Sequence, residues 1–201
     1  MAKKDELQKV EIVRKLIEDE PINPSWKPSE FISHYWNKYN QKFPSNNNMN
    51  GAIFEELLVI SLLRENIEPI YVQAKLAFVP NVILDIVLYN RKTPITISAK
   101  TSLRERWKQA DLEAMATKYV HREAKCYVLT MSEQEVSARR KAENSYMGID
   151  KFILAHTSEY DDLIEELKKI KISESEKINI ITTDKNLYKK ETVQEFYGLN
   201  L

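Results

Sequence analysis

Three strand-like stretches followed by an alternation of helix and strand leave few folds open to this chain. Segments 70–78, 82–89 and 95–99 succeed one another with short breaks, and the second and third are rich in β-branched residues and separated by the turn-prone Asn90-Arg91-Lys92. A helix beginning at Arg104 or Glu105 and running to His121 comes next, then a buried-strand pattern over 125–131 around Cys-Tyr-Val-Leu-Thr. A helix over 133–143, a short strand over 152–155, a helix over 160–170 and a last strand over 178–182 complete the order. Ahead of the strands, Leu7, Val10, Val13, Leu16 and Ile17 mark a helix over 4–18, and Pro28 opens a second that reaches Asn40. After a turn-rich loop from Pro44, Ile53, Leu57, Ile60 and Leu63 share one face of a third helix, 50–64. The expected class is α/β (α+β), a mixed central sheet flanked by helices. At 201 residues the chain suits one domain, 1–201, with a helical N-terminal part over 1–48 and a core over 50–131.

Charge is segregated. Lys+Arg and Asp+Glu are 30 each, yet between Arg91 and Lys108 six basic residues face one acid, Glu105. Acids predominate from Glu159 to Glu176. A zero total excludes a generally polycationic coat and leaves local patches open. The one cysteine, Cys126, excludes an internal disulfide and lies in an apolar strand pattern, where a buried thiol is expected rather than a nucleophile. The charged start MAKKDELQKVE lacks the apolar stretch of a secretory signal, and the run at Leu57–Ile60 is far short of a membrane span, so the expected location is cytoplasmic.

The basic segment also carries the candidate chemistry. Asp85 interrupts the apolar run Val-Ile-Leu-Asp-Ile-Val-Leu, where a charge is costly unless paired, metal-bound or at an open sheet edge. Lys100 follows the next strand, Ser98 and Lys100 point to one face by strand alternation, and Glu113 lies on the helix beyond. Phosphodiester hydrolysis uses a metal held by carboxylates, Mg²⁺ being the natural choice for oxygen ligands, with a cation to stabilise the transition state. Alone, an acid and a lysine on adjacent strands also describe a surface salt bridge. Arg104-Glu105-Arg106 has the complement of G·C pairs: arginine donates two hydrogen bonds to guanine O6 and N7, and a carboxylate accepts from cytosine N4. Alone, such a triplet also describes a solvated helix start whose charges pair among themselves.

In order and spacing these residues resemble the PD-(D/E)XK nucleases, with two departures: Leu84 replaces the Pro, and Ser98 stands where the strand acid belongs. One group of type II restriction endonucleases, those cutting sites containing CC and GG, is similar in the second respect. In that group a Ser takes the strand position, a Glu on the next helix supplies the missing carboxylate, and an Arg-acid-Arg element follows the lysine. The resemblance covers about 50–131. It implies a restriction-endonuclease-like fold and Mg²⁺-dependent cleavage of double-stranded DNA at a short palindrome. Asp85 and Glu113 would bind the ion, assisted by the Ala99 carbonyl, and Lys100 would act at the transition state. Glu55 would be the acid on the preceding helix, with Glu56 as its competitor and one of the two simply exposed. Arg104, Glu105 and Arg106 would read bases, and Ser98 and Lys108 would contact DNA. A homodimer is implied by a two-fold target. The rivals are a repair or junction-resolving nuclease of the same fold, a DNA-binding protein without catalysis, and a protein-interaction domain.

Weaker signals surround this core. Trp26, Phe31, Tyr35, Trp36 and Tyr39 form an aromatic cluster with Lys27, His34 and Lys38 interleaved; Trp36 is the candidate for stacking on an extruded base, and helix packing is its ordinary role. His34, His121 and His156 lack ligand spacing, and three glycines are too few for a dinucleotide or phosphate-loop motif.

Overall fold

In a computed structural model the described residues are 2–44, 46–79, 81–142, 145–175, 181–183 and 187–201. Three helices come first: α1 (Ala2–Asp19), α2 (Pro28–Lys42) and α3 (Asn47–Arg64). Pro28 occupies the first turn of α2, where no backbone N–H is needed, and the Glu30 carboxylate accepts the Lys27 amide at 2.8 Å. The asparagine-rich loop works as a cap, since the Asn46 side chain accepts from the amides of Asn48 and Met49 and starts α3.

The strands are β1 (Ile70–Leu76), β2 (Leu84–Leu88), β3 (Ile95–Ala99), β4 (Lys125–Thr130), β5 (Lys151–Leu154), β6 (Ile181–Thr183) and β7 (Leu187–Tyr188). They make one sheet in the order β5-β4-β3-β2-β1-β6, with β7 also on β1. β1, β2 and β3 pair antiparallel, whereas β3, β4 and β5 are parallel. Parallel neighbours need crossovers, and α4 (Arg106–Val120) and α5 (Glu133–Arg140) supply them. α6 (Ser158–Leu167) and α7 (Lys190–Tyr197) complete the order.

Side-chain alternation divides the core by sheet face. Ile86, Leu88, Ile95, Ile97, Tyr127, Leu129 and Ile153 join residues of α1, α2, α3, α6 and α7. On the opposite face Cys126, Val128, Phe152 and Leu154 pack with Leu103, Trp107, Ala110 and Ala114 of the α4 segment and Val136 of α5. Among the described residues no helix is long and apolar enough to cross a membrane.

Several expected boundaries shift. β1 ends at Leu76 rather than 78, where Phe78 takes a left-handed φ of 65° and is exposed. Of the expected last strand, 178–180 lie outside the described residues and β6 begins at Ile181. β7 and α7 had no counterpart in the sequence reading. The expectation that Glu55 or Glu56 is simply exposed is corrected: both are buried. Glu56 pairs with Lys9 of α1 at 2.6 Å, each side chain only 1% exposed, and Tyr188 of β7 donates to the same carboxylate. A charge taken this far from water persists only with its partner in place.

Glu56→Ala therefore strands the Lys9 ammonium in the core. Urea denaturation should show about 3–5 kcal/mol of lost stability, the usual cost of breaking a buried pair from one side. An unchanged midpoint would mean that the pair does not anchor α1.

A candidate metal centre beneath an exposed charged loop

The β2–β3 ladder pairs Ile86 with Ile97 and Val87 with Thr96, so Asp85 falls opposite Ser98. At that point three donors converge on one oxygen. Asp85 Oδ2 accepts from Lys100 Nζ at 2.7 Å, from the Ala99 amide at 2.8 Å and from Ser98 Oγ at 3.2 Å. Lys100 lies one residue beyond β3, where its own amide donates to the Leu129 carbonyl and extends the parallel ladder. Its side chain is 10% exposed and that of Asp85 17%, so the pair is largely desolvated. The N–H and C=O of one extended residue face the same neighbour in an antiparallel pair, which turns the Ala99 carbonyl to the β2 side as well.

Glu113 reaches this place from α4. The helix is seated by Asp111, whose Oδ1 accepts the amides of Met147, Gly148 and Ile149 at 3.0, 2.7 and 3.2 Å. Gly148 lets the chain pass directly against the backbone of α4. So fixed, Glu113 lines one small cleft together with Asp85, Thr96, Ser98, Ala110 and Val128. Gln109 Nε2 donates to Glu113 Oε1 at 2.7 Å. Burial pushes the Glu113 carboxyl up, the Gln109 hydrogen bond and the Lys100 charge pull it down, and the Asp85 charge raises it; the net direction is upward. Two carboxylates repelling each other in a half-buried cleft are an environment that a cation relieves. Among the described residues no group of three or more His, Cys, Asp and Glu side chains forms a metal cage. The pair with a neighbouring carbonyl suits an ion that keeps several of its waters, as Mg²⁺ does.

Glu55 approaches from the other face of the sheet. Its Oε2 accepts from Gln73 Nε2 at 2.5 Å. Gln73 stands in β1 between the ladder pairs Val72–Ile86 and Ala74–Leu84, hence opposite Asp85. Its φ is 51°, and there the strand changes phase: Tyr71, Ala74 and Leu76 share one apolar cluster while Val72 belongs to the other. Glu55 thus comes next to the centre through Gln73, whereas Asp85, Ser98, Ala99, Lys100 and Glu113 are gathered directly.

The triplet spans the end of the β3–α4 connection and the start of α4, with Glu105 as its N-cap and Arg106 its first residue. Arg104, Glu105 and Arg106 are all exposed, as is Lys108. Glu105 pairs with Lys108 at 2.5 Å, and that hydrogen bond holds its carboxyl below the usual range. Trp36 is placed differently: its ring packs on Phe54 and Tyr39, with centroids 5.5 and 5.7 Å away, as part of the α2–α3 interface. Three residues that the sequence reading passed over touch this region: Gln73, Gln109 and Glu135 of α5. Glu135 accepts the Leu103 amide at 2.7 Å. Its spacing from Ser132 reads locally as a helix-start pair, which hides a partner over thirty residues away.

No family model matches the sequence, and no curated protein does. Among solved structures the chain is similar to the restriction endonuclease PspGI in its complex with substrate DNA, with a TM-score of 0.53 and 18% identity. The match covers 81% of this chain and 82% of that one. The fold is therefore restriction-endonuclease-like.

Gly148→Ala tests how α4 is held. The added Cβ would stand 2.7 Å from the Asp111 carbonyl and 2.8 Å from the Ala114 carbonyl carbon, and closer still to the Met115 nitrogen. These are backbone atoms, so the helix must shift, and thermal denaturation should report about 1–3 kcal/mol of lost stability. A variant as stable as the wild type would contradict this seating.

Proposed function

We propose that the protein is a type II restriction endonuclease that hydrolyses both strands of double-stranded DNA at a short palindrome containing CC and GG. The observation that carries this reading is the convergence on Asp85 of Lys100, Ser98 and the Ala99 amide, with Glu113 in the same cleft and Arg104-Glu105-Arg106 exposed on the connecting segment. The solved structure of similar fold is that of a restriction endonuclease with its substrate DNA, which supports the same assignment.

Asp85 and Glu113, with the Ala99 carbonyl, would hold Mg²⁺, which when bound polarises the phosphate and acidifies a water. This chain's own groups do the rest. Lys100 supplies a positive charge to the phosphate oxygens as negative charge grows on them. Its near-complete burial strengthens that effect, because little water remains to screen it. Ser98, in the place of a strand acid, donates to Asp85 and keeps that carboxylate oriented. Glu55, tied to Gln73 opposite Asp85, adds an acid on the far side of the centre. Arg104 and Arg106 reach guanine edges in the major groove while Glu105 accepts from cytosine, exchanging its Lys108 partner for the base. Freed from Glu105, Lys108 is available to a phosphate. A two-fold target calls for two such sites, which a homodimer supplies.

Digestion of a plasmid of known sequence with Mg²⁺, followed by mapping of the ends, should give discrete fragments whose termini share one G·C-containing site. Lys100→Ala should slow cleavage roughly 10²–10³-fold. Asp85→Asn and Glu113→Gln should abolish it while gel-shift binding in Ca²⁺ persists. Arg104→Ala should erase roughly 1–3 kcal/mol of discrimination at one base pair. Random ends, or an Arg104→Ala protein weakened equally on every sequence, would mean a nuclease that reads structure rather than sequence. Tight binding without cleavage in Mg²⁺ would mean a DNA-binding protein.

A further inference from the structure

The three side chains that would read bases sit where the β3–α4 connection runs into the first turn of α4, and base readout needs that backbone held still. Two arginines and a glutamate are flexible, and bidentate pairing tolerates only small errors in where the chain places them. The charged residues of this region are otherwise absorbed: Arg140 pairs with Glu159, Lys118 with Asp150, and Lys151 with Glu166. Glu135 instead spends its charge on the segment that carries the triplet. Its Oε2 accepts the Leu103 amide at 2.7 Å, and Oε1 accepts from Ser102 Oγ at 3.1 Å and the Arg104 amide at 3.4 Å. Burial pushes this carboxyl up, but the donors of Leu103, Ser102, Ser132 and Arg104 outweigh it and hold it below the usual range. Two further residues of α5 face the same way. Val136 packs in one cluster with Leu103 and Trp107, and the Arg139 guanidinium lies 4.7 Å from the centre of the Trp107 ring. A polar clamp, an apolar contact and a cation on an indole thus bracket the triplet from 102 to 107.

We propose that Glu135 is a positioning residue for base recognition, its carboxylate fixing the Ser102–Arg104 backbone from which Arg104, Glu105 and Arg106 address the DNA. The proposal rests on the reading of this protein as a site-specific nuclease. Glu135 touches neither the base nor the phosphate; it acts through the loop.

The test compares wild type, Glu135→Ala and Glu135→Gln on the mapped site and on duplexes carrying one changed G·C pair. The readouts are kcat/KM for each duplex and amide hydrogen exchange at Leu103 and Arg104. Glu135→Ala should lower the ratio of cognate to altered-site cleavage at least about tenfold, with the altered-site rate retained and both amides exchanging faster. Glu135→Gln, which keeps one accepting oxygen, should fall between, and it carries the test if the alanine variant does not fold. Cognate and altered sites slowed equally, or a ratio unchanged from wild type, would overturn the proposal. A wild-type protein that cuts without site preference overturns the site-specific reading itself, and with it any recognition for Glu135 to support.

Discussion

A carboxylate in the middle of an apolar strand is tolerated here because three donors meet it. The Asp85 oxygen takes an ammonium, a hydroxyl and a backbone amide, all from consecutive residues at the end of β3. That arrangement exists only in one register of the β2–β3 pair. A slip of a single residue would turn Asp85 to the α3 face and leave Lys100 without its acid. The register is in turn enforced by Ile86, Leu88, Ile95 and Ile97, whose burial against the N-terminal helices fixes which face is which. The centre and the core are thus one constraint seen from two sides.

The sheet divides the labour. Its antiparallel part aligns Gln73, Asp85 and Ser98 across three neighbouring strands. Its parallel part requires crossovers, and these carry Glu113, the charged triplet and the α5 platform. The Asp111 cap over Met147–Ile149 locks the first crossover against the segment leading to β5, so the acid on α4 is placed by contacts well outside the cleft.

Much of this was legible in the sequence, and the exceptions share a cause. β3 has the expected bounds, and α3, α4 and β4 deviate by at most a few residues, because their apolar periods are strong and their breaks are marked by Asn and charged turns. The order Asp85, Lys100, Glu113 is visible as spacing because all three fall on consecutive elements. What stayed hidden depends on partners far away in the chain. Lys9 and Glu56 look like surface residues of two amphipathic helices until α1 and α3 meet. Nothing local announces a left-handed Gln73 inside β1, yet that residue redirects the strand. β7 has two residues, too few for a period, and α7 is only about two turns long, ending at Gly198, which takes φ 70° as its C-cap.

Asp85 and Glu113, brought from a strand and a crossover helix, are proposed to share one divalent ion. Anomalous diffraction from crystals grown with Mn²⁺ tests it most directly. A shared ion gives a single strong peak between the two carboxylates and beside the Ala99 carbonyl. No peak there, with Glu113 still turned to Gln109 and the ion elsewhere, would contradict it.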